Sequence, residues 1–352
     1  MRTSEFPRVR AAIIGARGYS GLELARLLLR HPDVELRAAL ATQDGWALSD
    51  FLSEPAAGAV GVYGMDRLDD LLADRLADVY FLATPSEVSM NLAKRILKSG
   101  VKVIDLSGAF RLPKATFEST YKFDHLAPEL IEEAVFGLSP WQVIPATTRL
   151  IANPGCFATS VIMGLIPLLK AGMIQPGSIV IDAKSGTSGA GKKASEALLF
   201  SEVDGECLPY RVGDHQHLPE IVQALHKYGG NVTDPVFTTH LIPVRRGILS
   251  SIYARVQPGV SLQAVAAAFD AAYTAYPLVR HGPVQKSALL SLRRVVGTAR
   301  THLSYALNGD KLFLFSVIDN LLKGAASQAV ENLNCMIGRP IATGLESGEG
   351  LL

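Results

Sequence analysis

The sequence predicts an α/β protein, a Rossmann-type dinucleotide-binding domain followed by an α+β catalytic domain with a mixed sheet. Three observations lead there. Strand-like and helix-like segments alternate through the first half, a glycine triplet separates the first strand from the first helix, and the second half shows period-two strand patterns. At 352 residues the chain is long enough for two ordinary domains, each with its own core.

Residues 9–14 read as a buried strand, 15–21 as a loop, and 22–30 carry apolar residues at helical spacing. Further strands are expected at 34–41 and 78–83, then a helix at 88–98 with Ser86 as its N-cap, and a strand at 101–105 after Gly100. Repeated βαβ units imply a parallel sheet with right-handed crossovers. In the second half a helix is expected at 157–170 and a strand at 178–183. Strands follow near 236–243, 249–256 and 311–318, with an amphipathic helix at 261–276 between the last two. Ser250, Ile252, Ala254 and Val256 alternate as in a half-covered strand, so a mixed or antiparallel sheet with helices on one face is expected. The expected boundaries are 1–155 for dinucleotide binding, 156–319 for catalysis and oligomerisation, and 320–352 for a C-terminal helix returning to the first domain. The tail 344–352 reads as loose.

Charge and composition narrow the partners. With 34 basic and 33 acidic side chains the formal charge is +1, so no global field favours nucleic acid or an anionic membrane. The three cysteines are far apart, with neither metal spacing nor a disulfide framework, as expected in a reducing cytosol. The apolar run at 11–14 is too short for a signal segment, and no apolar stretch reaches membrane-spanning length. A cytoplasmic protein acting on a small molecule is expected.

Gly15, Gly18 and Gly21 form G-x-x-G-x-x-G between a strand and a helix. Glycines let a pyrophosphate approach the backbone, and the N–H groups of the helix start stabilise its charge. Arg17, Tyr19 and Ser20 belong to the same cradle. The alternative reading is a tight turn that binds nothing. Binders of NAD usually place an acid at the tip of the second strand. This chain has Ala41-Thr42-Gln43-Asp44 there, and Thr42 with Arg17 favours the 2′-phosphate of NADP(H).

Cys156 follows Asn153-Pro154-Gly155 at the start of an apolar helix, where unpaired N–H groups and the positive end of the dipole favour a thiolate. The alternative is a small buried apolar residue. The segment His215-Gln216-His217-Leu218-Pro219-Glu220 supplies two histidines as proton partners, with Glu220 as an orienting or substrate-binding carboxylate. His-x-His is also a metal pair, but nothing completes a closed metal site, so no metal is expected. Ser107 and Arg111 follow the strand ending at Asp105, the edge where such sheets bind ligands, and Arg111 suits a forked grip on phosphate or carboxylate. Its plainer role is a surface ion pair. Asn153 precedes the cysteine turn. The glycine-rich basic loop 184–193 offers Ser185 to substrate and Ser188 and Gly189 to cofactor. Arg245 at a strand end suits an anionic substrate, and Asn320 opens the last helix as a further cofactor candidate.

Together these motifs resemble the N-acetyl-γ-glutamyl-phosphate reductase family, related to aspartate-semialdehyde dehydrogenase. The matching segments are 15–21, 105–112, 153–159, 184–193, 215–220, 237–250 and 319–334, in order along nearly the whole chain. The resemblance implies NADPH-dependent reduction of an acyl phosphate through a thioester on Cys156, with acid–base help from His215 or His217, in arginine biosynthesis. It also implies a homodimer or homotetramer. The chain departs from the family where Ala109 replaces an aspartate, where Cys156-Phe157-Ala158-Thr159 replaces Cys-Tyr-Pro-Thr, and near Gly137-Leu138-Ser139-Pro140. Two alternatives stand beside this reading. One is the same chemistry on carrier-linked aminoadipyl phosphate or aspartyl phosphate, and the other a non-enzymatic NADP-binding redox sensor.

Overall fold

The structure, a computed structural model, describes residues 8–43, 45–284 and 290–346. Asp44 and the tail beyond residue 346 lie outside the described residues. Two compact units result, one from the described residues of Met1–Pro154 and Ala325–Ser347, the other from those of Gly155–Gly324.

The first unit is a parallel sheet flanked by helices. Its elements are β1 (Val9–Ile14), α1 (Tyr19–Arg30), β2 (Val34–Ala41), β3 (Gly61–Gly64), α2 (Leu68–Ala73), β4 (Val79–Leu82), α3 (Ser86–Lys98) and β5 (Lys102–Asp105). There follow α4 (Lys114–Tyr121), β6 (Val135–Phe136) and β7 (Leu150–Ala152). The strand order is β3-β2-β1-β4-β5-β7-β6, and each neighbouring pair runs parallel. β1 and β4 are neighbours whose connections leave in opposite directions, so the loop after β1 sits where such sheets open a ligand crevice. The strands are near-continuous apolar runs because helices cover both faces; Ala11 to Ile14 and Val79 to Leu82 are buried.

The N-cap of α3 is Pro85, with φ −58° and ψ 155°, not the expected Ser86, which is the first residue of the helix. The proline's fixed φ suits the extended turn, and its carbonyl accepts from the N–H groups of Val88 (3.1 Å) and Ser89 (2.9 Å), so no serine cap is needed.

The second unit begins with α5 (Cys156–Lys170), one residue earlier than the apolar pattern suggested, which makes Cys156 itself the first helical residue. Its other elements are β8 (Val180–Gly186), α6 (Phe200–Val203), β9 (Leu208–Tyr210), α7 (Leu218–Tyr228), β10 (Val236–Ile242) and β11 (Ile248–Arg255). α8 (Leu262–Tyr273), β12 (Val279–Pro283), β13 (Thr301–Asn308) and β14 (Lys311–Ile318) follow. The sheet order is β12-β13-β14-β11-β8-β10-β9 and the pairing is mixed: β8 with β10 and β12 with β13 are parallel, the others antiparallel.

α5 is apolar all round and buried from Phe157 to Leu169, as a helix inside a core must be. Pro167 removes the N–H that Met163 O would otherwise accept; the Tyr273 hydroxyl takes its place, donating to that carbonyl at 2.5 Å. A buried hydroxyl cluster fixes the helix on the sheet. Ser160 Oγ lies 2.9 Å from Ser250 Oγ on β11 and 3.1 Å from Ser316 Oγ on β14. Both contacts hold the position of the residue that opens the helix.

The final segment is not one regular helix. A π-helical turn at Leu322–Ala326 precedes α9 (Ser327–Met336). α9 belongs to the first unit, where Asn334 Oδ1 meets His31 Nε2 (2.9 Å) and Arg339 Nε donates to Asp33 Oδ2 (2.8 Å) at the end of α1.

Candidate active site

In the second unit Cys156 opens α5, and Gly155 is its N-cap with extended dihedrals (φ −71°, ψ 154°). A helix start leaves N–H groups without intrahelical acceptors, and they stabilise negative charge on the sulfur. Glu220, 1% exposed, accepts the Gly155 N–H through Oε1 at 2.7 Å. The sequence suggested that this carboxylate orients a histidine or meets substrate; the structure shows it bracing the cysteine turn. It lies in the first turn of α7, itself favourable for a carboxylate.

His217 is the N-cap residue of α7, and His215 lies two residues before it. The His215 ring is surrounded by the rings of Phe157 (5.3 Å), Phe237 (5.3 Å), Tyr210 (5.8 Å) and His217 (5.0 Å), mostly edge to face. Burial first, then the Arg211 guanidinium, pushes His215 down to about 4. The ring is therefore neutral at pH 7. Its Nδ1 accepts from the backbone N–H of His217 (3.1 Å), which leaves the ring proton on Nε2. The Tyr210 hydroxyl is pushed well above the usual tyrosine range by burial and, secondarily, by neighbouring Cys156, so it stays a donor. Among the described residues no group of three His, Cys, Asp or Glu is placed to hold a metal ion.

A second cluster of the same unit gathers the glycine-rich loop and the arginine turn. The N–H groups of Gly186, Thr187 and Ser188 donate to the carbonyls of Gly247 (3.0 Å), Val244 (2.9 Å) and Arg245 (3.0 Å). Gly186 is required by this approach, since a Cβ there meets Arg246 N at 2.7 Å. Asn320 joins both strands of the cluster, accepting from Gly247 N–H (2.8 Å) and donating to Ser188 Oγ (3.0 Å). Ser185 is buried and donates to Gly186 O, Gly189 is exposed beside Ser185, and Arg245 is exposed. Arg246, by contrast, pairs with the fully buried Asp319 at 2.8 Å.

In the first unit the glycine loop is closed on itself. Gly15 has φ +86° and its Cβ position meets Ala83 O at 2.3 Å; that of Gly21 meets Gly15 O at 2.4 Å. Gly18 caps α1 with no side-chain hydrogen bond, and the first turn of α1 holds Tyr19 and Ser20 but no acid. Arg17 lies over the rings of Phe51 (5.6 Å) and Trp46 (5.9 Å), and Thr42 is exposed after β2.

Arg111 is neither a surface ion pair nor an open fork. It is 7% exposed, and its Nε and Nη2 donate to Asn153 O and Leu106 O, both at 2.8 Å. A forked grip through these two nitrogens costs both bonds. Asn153 is fully buried as well, donating to Ala325 O (3.2 Å) and accepting from Asn332 Nδ2 (2.9 Å). Ser107 Oγ donates to the buried Asp105 (2.7 Å) and accepts from Ala109 N–H (3.1 Å). Packing is tight beside it. A Cβ at Gly108 falls 1.9 Å from the Tyr121 hydroxyl, and the fully buried Ala109 stands beside Phe110 in the apolar core.

Tyr210, Phe237, Asp319 and Gly324 were not singled out from the sequence. β9 is a three-residue edge strand and carries little local signal, and the other three act through partners distant in the chain.

Residues 10–146 match the family described as semialdehyde dehydrogenase, NAD binding domain, and residues 156–320 match semialdehyde dehydrogenase, dimerisation domain. N-acetyl-gamma-glutamyl-phosphate reductase of Brevibacillus brevis is 40% identical over 344 residues, covering 96% of this chain and 98% of its own. That of Geobacillus stearothermophilus is 42% identical over 344 residues, covering 96% and 97%. Among solved structures, aspartate semialdehyde dehydrogenase II complexed with ASA from Vibrio cholerae superposes with TM-score 0.73 at 16% identity, covering 95% of this chain and 99% of that one. Aspartate semialdehyde dehydrogenase with NADP from Candida albicans gives 0.67 at 14%, covering 95% and 99%. These structures share the fold. The two domain matches and the near-complete alignment at about 40% identity make this chain a member of the N-acetyl-γ-glutamyl-phosphate reductase family.

Proposed function

We propose that this protein reduces N-acetyl-γ-glutamyl phosphate to N-acetylglutamate 5-semialdehyde with release of phosphate, using NADPH, as a cytoplasmic enzyme of arginine biosynthesis. The observation that carries the chemistry is Cys156 at the first position of a buried helix, braced by Glu220. The acyl group is taken from the relatives' name.

The glycine cradle fits a dinucleotide. Gly15, Gly18 and Gly21 leave the backbone bare at an α1 start that no side chain caps, and Tyr19 and Ser20 add polar groups. Arg17 and Thr42 suit a 2′-phosphate, and Ser188, Gly189 and Asn320 of the second unit remain further cofactor candidates. When bound, NADPH supplies the hydride that takes the acyl carbon to the aldehyde level.

The chain's own residues do the rest. His217 takes the thiol proton, and the Cys156 sulfur forms a bond to the acyl carbonyl carbon. First-turn N–H groups of α5 stabilise the resulting oxyanion. Phosphate leaves with the electron pair of the broken C–O bond, and a thioester remains. After reduction the carbonyl re-forms, the C–S bond breaks, and His217 returns its proton to sulfur. His215 is the poorer proton acceptor, since burial holds it down at about 4 and its Nδ1 lone pair already takes the His217 backbone N–H. Ser107, Arg111, Asn153, Ser185, Glu220 and Arg245 remain the candidate substrate residues. Of these, Arg245 is the most exposed, whereas the Ser107 hydroxyl is already bonded to Asp105 and to the Ala109 N–H. A homodimer or homotetramer is the expected assembly, in keeping with the dimerisation-domain match.

The test is steady-state reduction of N-acetylglutamyl phosphate, and the reverse reaction on the semialdehyde, with NADP and NAD, beside aspartyl and aminoadipyl analogues. Cys156→Ser is expected to lose at least about 10³-fold in kcat while binding NADPH normally. Near-normal turnover by that variant sinks the thioester scheme.

A further inference from the structure

Gly324 has no conformational need to be glycine, since its φ is not in the left-handed region. Its need is spatial. A Cβ built there falls 2.6 Å from Cys156 Cβ and 3.2 Å from Cys156 Cα, distances that real side chains do not tolerate without movement. Bare backbone thus stands directly against the residue that bears the nucleophile.

The segment carrying Gly324 is held firmly at several points. The π-turn is closed by Gly324 N–H donating to Asp319 O at 2.9 Å, five residues back. The Asp319 carboxylate, fully buried, accepts from the N–H groups of Leu321 (2.8 Å), Leu322 (3.1 Å) and Gly297 (2.8 Å), and from Arg246 Nε (3.3 Å). Asn320 is tied to Gly247 and Ser188 as above, and the buried Lys323 Nζ donates to the Tyr276 hydroxyl (3.0 Å). On the other side, Cys156 is held by the Gly155–Glu220 bond and by the serine cluster under α5. Two anchored segments meet where a Cβ at 324 would overlap Cys156.

We propose that Gly324 is a positioning residue, which with its Asp319–Arg246 anchor fixes the placement of the Cys156 sulfur at the start of α5. This rests on Cys156 being the nucleophile. A methyl group at 324 displaces Cys156 by a fraction of an ångström to about 1 Å, enough to misplace a reacting atom. π-Turns recur at functional sites, and here the extra residue brings Gly324 to the cysteine.

The test uses the full-length enzyme and reads the thiol apart from turnover. For Gly324→Ala, kcat per titratable Cys156 is expected to fall about 100-fold with KM changed less than about threefold. Alkylation of Cys156 by iodoacetamide is expected to slow by about tenfold, with its pH midpoint moved upward, because the sulfur leaves the helix-start N–H groups. If the variant only lowers the folded fraction, and each folded site keeps wild-type kcat and alkylation profile, the proposal is overturned. Should Gly324→Ala not fold, Arg246→Met loosens the anchor without adding atoms at the cysteine. It is expected to cost about tenfold in kcat and slow alkylation, and Arg246→Lys to restore most of both, since one charged bond to Asp319 survives. Wild-type behaviour of Arg246→Met overturns the proposal. Cys156→Ser separates the two readings: if it turns over normally the thioester scheme falls, whereas an inactive Cys156→Ser beside an unaffected Gly324→Ala sinks the positioning role alone.

Discussion

The two units present chemistry by different means. In the first, the candidate binding features are backbone: the glycine loop after β1 and the start of α1, which no side chain caps. In the second the candidates are side chains, Cys156, His215, His217 and Tyr210, and the buried Glu220 accepts the Gly155 N–H beside the cysteine. A parallel sheet brings loop after loop to one edge and leaves the bare backbone to bind. A mixed sheet under a buried helix puts individual side chains against one another. The first arrangement tolerates side-chain exchange and resists added volume; the second is sensitive to both.

The largest test of that contrast is the histidine pair. His217→Gln is expected to lower kcat about 10²- to 10⁴-fold, as loss of an acid–base group does. His215→Gln is expected to cost clearly less, because its ring only supports the His217 backbone and the aromatic cluster. Equal losses, or the reverse order, in steady-state kinetics across pH 6–9 (about the working range) assign the proton to His215 instead.

Next is added volume in the backbone-built unit. Gly18→Val covers the N–H groups at the α1 start, and its Cβ meets Gly15 O at 3.4 Å. An NADPH Kd weakened by about 10- to 100-fold is expected, with Cys156 alkylation unchanged. Calorimetric titration reads the first and mass spectrometry the second; unchanged affinity removes the cradle from the cofactor site.

The smallest effect concerns stability and acid. Burial lowers the pKa of His31 and His125 in the first unit, but each ring has a partner, Asn334 for one and Ala109 O (2.7 Å) for the other. In the second unit His302 is buried with neither ring nitrogen hydrogen-bonded, and is pushed down to about 4 by burial, then by Arg280, Arg300 and Arg294. A lowered histidine pKa means the unfolded chain binds more protons as pH falls below its ordinary 6.5. Stability from both His302 and His215 is therefore full above that pH and is lost progressively down to about 4. His302→Leu removes two unpaired polar atoms, is expected to stabilise by about 1 kcal/mol near neutrality, and flattens the fall of Tm between pH 6.5 and 4. An unchanged pH dependence of Tm assigns the acid lability elsewhere.

Much of this was legible because it is local. The strand–glycine loop–helix unit is one short stretch, and Pro154-Gly155 marks the turn before Cys156. What escaped was non-local. Glu220 acts on Gly155, 65 residues away, so neither its spacing nor its neighbours reveal that bond. Arg111 and Asn153 looked like ligand groups because polar residues near a strand end usually are; their commitment to each other and to the backbone shows only after folding.

Residue types and their order determined by themselves the alternation of elements, the bare glycine loop and the cysteine at a helix start, since each follows from the conformational limits of a few consecutive residues. The tertiary structure alone decided which histidine is caged, which carboxylate accepts the Gly155 N–H, and what a Cβ at residue 324 would meet. Those outcomes depend on burial and on contacts between elements far apart in the chain, and the free energy of a buried polar group or a missing methyl is set by the neighbours that packing brings to it.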